Sequence, residues 1–290
     1  MSTKIYTKNY AGMLPEIFET KSAFLRAFGG ELQTIVGAEA NKNFLELKVT
    51  DTDVVIQEYN TDADVAFGDG TGNTNRFGPR REVKSIDTQV PFDTPLAIHE
   101  GIDSYTVNDI PEQVVADQLA KHAAAWANHY DKVMGATLAA NASETITGEL
   151  TEAGVTKAFA DARKKFVNNE VSDTIAWVAY VTSDVYNLLV DSNLARVDKG
   201  SSVNIDNQEL YKFKGFILVE LPDQKLENDI YFVADNVGVA GVGIPLTRVM
   251  DSEDFGGVVI QGSGKLGKYI PEKNKKAIIV ADLTEPTPEG

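Results

Sequence analysis

Cysteine is absent from this sequence of 290 residues, and that absence excludes several kinds of chemistry. No disulfide can form, and no thiolate can act as a nucleophile or as a metal ligand. Histidine is scarce, with three in the chain: His99, His122 and His129. The last two are seven residues apart on one predicted helix, about 10 Å by helical rise, which is too far for one metal ion. The sequence therefore supports neither a thiol enzyme nor a histidine metal centre.

Long apolar runs and positive charge are also in short supply. The run 277–281 is far shorter than the roughly 20 residues that a membrane-spanning helix needs. Residues 1–10 lack the apolar core of a signal peptide, so we expect the chain to be made and folded in the cytosol. The formal net charge is −16, and a chain this acidic should on average be repelled by nucleic acid.

The rest of the composition is typical of a folded globular chain. Hydrophobic residues make up 43% and charged residues 24%, and this length allows one large domain or two smaller ones. Helix-like and strand-like segments follow one another without an internal repeat, and the second half is mostly strand-like. The pattern predicts the α+β class.

A long helix after residue 109 is the strongest local prediction. Asp109 is an N-cap acid, Pro111 lies in the first turn, and Glu112 follows three residues after the cap. A stripe at helical spacing follows on one face of a predicted helix of about eight turns, with the members Val115, Leu119, His122, Trp126, Tyr130 and Val133. We expect Val115, Leu119, Trp126 and Tyr130 to be largely buried, against the subunit's own sheet or a neighbour's hairpin, and His122 to be a buried or interface histidine.

Two strand-like arms flank a glycine-rich stretch at 68–75. Residues 44–59 and 83–92 carry alternating, β-branched side chains, which predicts an extended hairpin. Two strands alone are marginally stable in water, so such a hairpin needs a surface to lie on.

The other predicted elements are shorter. Residues 14–28 predict an amphipathic helix that ends at Gly29 and Gly30, a second helix should begin at Thr151, and a short helix should cover 183–189. Strands are predicted at 175–181, 213–221, 230–234, 237–243, 246–250, 258–261 and 277–281.

Two glycine motifs imitate ligand sites. Gly262, Gly264 and Gly267 have the G-x-G-x-x-G spacing, but Pro271 opposes the helix that a dinucleotide site requires, so we interpret them as a turn between strands. The stretch 68–72 lacks the Gly-Lys-Ser/Thr ending of a phosphate loop and is interpreted as a flexible tip.

No catalytic, cofactor-binding or metal-binding residue is predicted. Asp62, Asp64 and Asp69 do not fit the calcium-loop spacing, because Ala66 occupies a ligand position and no closing Glu follows. The nucleophile motif Gly-x-Ser-x-Gly is also absent. Solvated acids are the simpler interpretation of the three aspartates.

The order of segments resembles the major capsid proteins of tailed double-stranded-DNA bacteriophages. The similarity extends to the residue sequences of three segments: 178–189 (VAYVTSDVYNLL), 213–220 (FKGFILVE) and 275–280 (KKAIIV). The resemblance implies an N-terminal arm, an extended hairpin loop, a peripheral domain with a spine helix, an axial domain and a return to the peripheral domain, at 1–40, 41–95, 96–171, 172–244 and 245–290.

The resemblance also implies a function. The chain would be a non-enzymatic coat protein that assembles in the host cytoplasm into the hexamers and pentamers of an icosahedral virion shell. Candidate partners are further copies of itself, scaffolding, portal and decoration proteins, and packaged DNA enclosed without sequence-specific binding; no membrane and no cofactor is implied. Two alternatives stay open: a bacterial nanocompartment shell around protein cargo, and an acidic oligomeric hydrolase.

The candidate subunit contacts are Phe67, Arg76, Phe77, Arg80, Arg81 and Trp126. In an acidic chain, the basic cluster after the hairpin tip is unusual. It either pairs with the acidic first arm of its own hairpin, or it docks on an acidic surface of the adjacent subunit, for which the planar guanidinium fork suits carboxylates.

Overall fold

The structure, a computed structural model, describes residues 22–35, 43–50, 54–62, 76–78, 80, 82–83, 85–107, 112–194, 203–204 and 209–285. Within these ranges the helices are α1 (Ser104–Val107), α2 (Glu112–Ala140), α3 (Glu152–Asn168) and α4 (Ser183–Leu194). The strands are β1 (Gln33–Ile35), β2 (Asn43–Thr50), β3 (Ser85–Pro91), β4 (Leu96–Asp103), β5 (Glu144–Glu149), β6 (Trp177–Val181), β7 (Val203–Asn204), β8 (Glu209–Leu210), β9 (Lys212–Phe213), β10 (Phe216–Glu220), β11 (Ile230–Ala234), β12 (Val239–Asp251), β13 (Gly257–Tyr269) and β14 (Ile278–Thr284).

A six-stranded mixed sheet forms the largest core, in the order β5-β14-β11-β6-β10-β9. Its central strands β6 and β11 are almost wholly buried, as expected for strands covered on both faces. Helix α3 begins at Thr151, whose hydroxyl accepts a hydrogen bond from the Gly154 N–H at 3.1 Å. Its buried face places Phe159 edge-on against Phe232 of β11, with ring centroids 4.8 Å apart.

A short 3₁₀ helix, Phe24–Phe28, packs against the aromatic side chains of the same sheet. The ring of Phe24 lies 4.9 Å from Tyr180 and 6.1 Å from Tyr231, and all three are buried. The helix ends at Gly29, whose φ of 96° is the left-handed conformation that glycine adopts readily. This confirms the end of the predicted N-terminal helix, although its first half, 14–21, lies outside the described residues.

A four-stranded sheet, in the order β1-β12-β13-β4, forms a second layer beneath α2. Strands β12 and β13 have 13 residues each and form a long antiparallel pair, with a register irregularity between Gly243 and Leu246. The separate two-stranded pair β2-β3 is the predicted hairpin, and β7 and β8 form a short antiparallel ladder.

Most predicted elements are confirmed, and three differ. Residues 54–59 form no strand, and Val54 and Ile56 are 95% and 96% exposed, so their β-branched character reflects no packed sheet in the subunit. The two predicted strands at 237–243 and 246–250 are one strand, β12. The predicted turn at 262–267 is also wrong, because these residues lie inside β13.

Asp229 gives a pH-dependent prediction. Burial raises the pKa of its carboxyl, the Leu283 N–H opposes this, and the charges of Asp282 and Asp184 add to the rise. A raised pKa in the folded state means that ionisation at neutral pH disfavours folding, and that this cost disappears as the pH falls below the pKa of the unfolded chain, about 4.

We therefore expect Asp229→Asn to raise the free energy of unfolding at pH 7, by less than about 1 kcal/mol because the side chain is half-buried, and to leave it unchanged at pH 3. Thermal melts at both pH values measure this. Asp173→Asn, at an exposed position, is the control. An equal gain at both pH values would contradict the assignment.

Candidate subunit-contact surfaces

The hairpin continues beyond its β-ladder. Strands β2 and β3 pair from Leu45 opposite Val90 to Thr50 opposite Ser85. Further out, the Asn60 N–H donates to the Arg76 carbonyl at 2.9 Å, and Arg76 Nη1 donates to the Asn60 carbonyl at 3.0 Å. The two arms therefore stay together well past the last paired residue.

The distal part of this hairpin carries apolar side chains that the subunit does not cover. Their exposed fractions are large: Val54 95%, Ile56 96%, Phe77 74% and Val83 69%. The ring of Tyr59 contacts Phe77 edge-on at 5.1 Å but leaves most of it in solvent. Burying a side chain of this kind is worth about 1.5–3 kcal/mol, and contiguous exposed apolar surface marks interaction sites.

The base of the hairpin is fixed to β13. Phe44 is buried over Gly267, where a Cβ atom would lie 2.2 Å from the Phe44 Cγ. The ring of Phe92 meets Phe44 edge-on at 5.5 Å, and Lys265 Nζ lies 4.3 Å from the centre of the Phe92 ring. The base of the hairpin is therefore packed against β13, while its distal part is exposed.

The glycines of β13 also receive the spine helix α2. Trp126 Nε1 lies 3.2 Å from the position of a Cβ at Gly262, and the Tyr130 hydroxyl lies 2.7 Å from that at Gly264. Strand alternation puts Gly262 and Gly264 on one face and Gly267 on the other. The G-x-G-x-x-G spacing is thus a strand that seats aromatic side chains from two elements, and neither a turn nor a nucleotide loop.

The stripe on α2 is covered only in part by the described residues of the chain. Val115, Leu119, Trp126 and Tyr130 are all half-buried, so the chain's own sheet does not enclose them, and their burial by a neighbour's hairpin stays a prediction. The reason is that α2 rests on a narrow sheet of four strands, whose glycines admit the rings without enclosing them. Further along the helix, Met134 and Leu138 are fully buried against the larger core.

His122 is buried, as predicted, and faces Glu100 of β4. Its Nε2 lies 2.8 Å from Glu100 Oε2, which also accepts a hydrogen bond from the Gln118 side chain. The hydrogen bond with His122 is the main cause that lowers the pKa of Glu100, and the bond with Gln118 adds to it. These contacts attach the first half of α2 to the edge strand of the sheet.

The structure describes four of the six candidate contact residues. Phe77 and Arg80 are exposed, and Arg76 and Trp126 are half-buried. Phe67 and Arg81 lie outside the described residues, as do Asp64, Asp69 and the glycine-rich stretch 68–75. The distal hairpin and the Trp126 seat are on different parts of one chain, so they are two surfaces and not one site.

Sequence reasoning missed Phe44, Phe92 and Lys265, which hold the hairpin base. Their sequence neighbours give no signal, because the hairpin base and β13 are far apart in the chain: Phe92 and Lys265 are more than 170 positions apart. Among the described residues, no group of histidine and acidic side chains has the arrangement of a metal site, and no helix is long and apolar enough to cross a membrane.

The seat at Gly267 gives a direct prediction. In Gly267→Ala the added methyl collides with Phe44, and overpacking of this kind costs about 1–3 kcal/mol. Gly256→Ala is the matched control, because a Cβ there meets Ser104 Oγ at 3.4 Å and Tyr105 Cε2 at 3.7 Å, which are ordinary contacts. Urea unfolding measures both, and Phe44→Leu combined with Gly267→Ala should recover part of the loss. Equal costs for the two alanines would contradict the proposed seat.

The described part of the chain combines a hairpin with exposed apolar side chains, an arm segment packed on a mixed sheet and a long helix over a second sheet. No protein-family model matches the sequence, and no curated protein matches it. Solved structures do match. The capsid of cyanophage P-SCSP1u superposes with a TM-score of 0.71 at 13% identity, covering 97% of this chain and 94% of that chain.

The mature capsid of bacteriophage PhiM1 gives a TM-score of 0.63 at 12% identity over 95% of this chain and 91% of that chain. The capsid of Ralstonia phage GP4 gives 0.61 at 10% identity over 99% and 97%. The chain therefore has the α+β fold of tailed-phage capsid proteins along nearly its whole length, which confirms the predicted fold class.

Proposed function

We propose that this chain is a major capsid protein, a structural and non-catalytic subunit that assembles with copies of itself into the hexamers and pentamers of an icosahedral shell around double-stranded DNA. The observation that carries the proposal is the likeness to phage capsids over at least 91% of both chains in each comparison above.

The exposed distal hairpin supports the same proposal. Val54, Ile56 and Phe77 stay in water unless another protein surface covers them. A neighbouring copy of the chain is the partner that a closed shell supplies. Phe67, Arg76, Arg80, Arg81 and the half-buried Trp126 are the proposed polar and aromatic members of these contacts.

The proposed units are the arm 1–40, the hairpin 41–95, a peripheral part 96–171 with 245–290, and an axial part 172–244. Sheet membership supports drawing the axial part more widely. Strands β5 and β14 both pair within the six-stranded sheet, and α3 packs on it, so we assign these elements to the axial part.

Negative-stain microscopy of the purified chain, together with size-exclusion chromatography, tests the function. We expect closed shells or hexameric rings. Shells that contain nucleic acid in infected cells support the capsid, whereas shells loaded with a protein enzyme point to a nanocompartment. A chain that stays monomeric in every condition contradicts both. Assembly in the host cytoplasm with scaffolding, portal and decoration proteins belongs to the same proposal.

A further inference from the structure

One surface of this acidic chain is basic. It lies around the C-terminal end of α3 and is formed by Arg163, Lys164, Lys214, Lys273 and Lys276, called the basic end below. Four of these side chains are exposed, and Lys214 is half-buried. In a chain with a formal net charge of −16, such a concentration of cations is unusual.

Hydrogen bonds hold the three segments of the basic end together. Arg163 Nη1 donates to the Lys214 carbonyl at 2.9 Å, and Lys214 Nζ donates to the Thr156 carbonyl at 3.1 Å, which ties the β9–β10 turn to α3. At the end of α3, the Asn169 side-chain amide donates to the Lys276 carbonyl at 2.9 Å. The cations therefore belong to one continuous surface.

Two shallow grooves run along this surface. One, of about 230 Å³, is lined by the cations Arg163 and Lys212 and by Asp173. The other, of about 210 Å³, is lined by the cations Lys273 and Lys276 and by Glu170 and Asp235, and Asp235 is paired with Arg26. Ile175 borders both grooves. A long, charged ligand lying across Ile175 would thus meet cations on both sides.

Local pairing accounts for only some of the neighbouring cations. Lys165 pairs with Glu144, and Lys275 pairs with Glu272. Arg163 and Lys214 instead bond backbone carbonyls, which do not neutralise their charge. The dipole of α3 favours cations in its last turn, but it does not account for Lys214 or for the lysines of the 3₁₀ helix Glu272–Ala277.

We propose that the basic end contacts the phosphate backbone of the duplex DNA that the shell encloses, so this inference rests on the proposed function. Lysine and arginine bind phosphate by charge and by N–H donation, without reading base sequence. The acidic remainder of the chain keeps affinity low, which suits a genome that is held at high local concentration and must later leave. The proposal also implies that the basic end faces the inner side of the shell.

The test uses the full-length chain before assembly and a labelled DNA duplex of about 30 base pairs, with binding followed by fluorescence anisotropy between about 50 and 200 mM salt. The variant is Lys273→Glu with Lys276→Glu. The control is Lys121→Glu with Lys132→Glu, an equal change of charge at exposed positions on α2. Thermal melts verify that both variants fold.

The unaltered chain should bind with an affinity that falls steeply with salt. In the basic-end variant the slope of log affinity against log salt should become shallower by about 2, because each phosphate contact contributes about 0.9. The control should keep the slope of the unaltered chain. Closed shells should not bind added duplex, because their inner surface is enclosed.

Two results would overturn the inference: no binding at the lowest salt, or equal loss in both double variants. The proposed function fails separately, if the chain forms no shells in the microscope. A chain that forms shells but shows no duplex binding before assembly retains the function and loses this inference.

Discussion

Asp131→Ala should lower the free energy of unfolding by about 3–5 kcal/mol, the range for breaking a buried charge pair. The Asp131 side chain is fully buried on α2. Its Oδ1 accepts hydrogen bonds from the backbone N–H groups of Ala23 at 2.9 Å and Phe24 at 3.0 Å. Its Oδ2 accepts a hydrogen bond from Lys225 Nζ at 2.7 Å. Alanine would remove the acceptor of the buried Phe24 N–H and of the partly buried Ala23 N–H, and it would remove the carboxylate that faces an ammonium group only 15% exposed.

Asp235→Ala is the matched control for this prediction. Asp235 also binds one cation, Arg26, but the Arg26 side chain is 41% exposed and the pair is accessible to water. Its loss should cost no more than about 1 kcal/mol. Urea unfolding at one pH measures both variants, and a cost for Asp131→Ala as small as that for Asp235→Ala would show that the buried pair does not hold the arm, α2 and the sheet together.

Reversal of the basic cluster, Arg80→Glu with Arg81→Glu, should abolish assembly while the subunit keeps its circular dichroism and melting temperature. Arg80 is exposed near the uncovered Phe77, so the change removes no described core contact. If these arginines meet an acidic surface of the adjacent subunit, two reversed charges turn an attraction into a repulsion. Negative-stain microscopy and sedimentation measure the outcome.

Arg80→Lys with Arg81→Lys separates charge from geometry. Lysine keeps the charge but loses the planar fork, so shells should form with reduced yield if bidentate contacts set the register. Shells of normal size from the double glutamate variant would contradict the docking hypothesis. The cluster would then be a solvated arm that pairs with its own hairpin, as the half-buried Arg76 does with Asn60.

Elements with a repeating local pattern were predictable. The stripe from Val115 to Val133 predicts α2, and Thr151, the predicted start of the second helix, is the N-cap of α3. The resemblance to phage capsids, drawn from segment order, is confirmed as a likeness of fold. The helices follow from spacing along a few consecutive turns, whereas the resemblance rests on the order of the segments.

Contacts between distant segments were not predictable. Residues 54–59 have the composition of a strand, yet Val54 and Ile56 are exposed, because pairing depends on what lies opposite and not on propensity alone. The extent of burial of Trp126 depends in the same way on the width of the sheet beneath it.

The sequence by itself determined the class, the long helix, the hairpin and the absence of thiol chemistry, because these depend on composition and on short periodicities. Only the tertiary structure decided what the glycines of β13 do. Gly262, Gly264 and Gly267 fit a nucleotide fingerprint or a turn when read along the chain, but in space they admit Trp126, Tyr130 and Phe44. A glycine gives no periodic signal in the sequence. Its role in this strand is set by the bulky side chain that another segment packs against it.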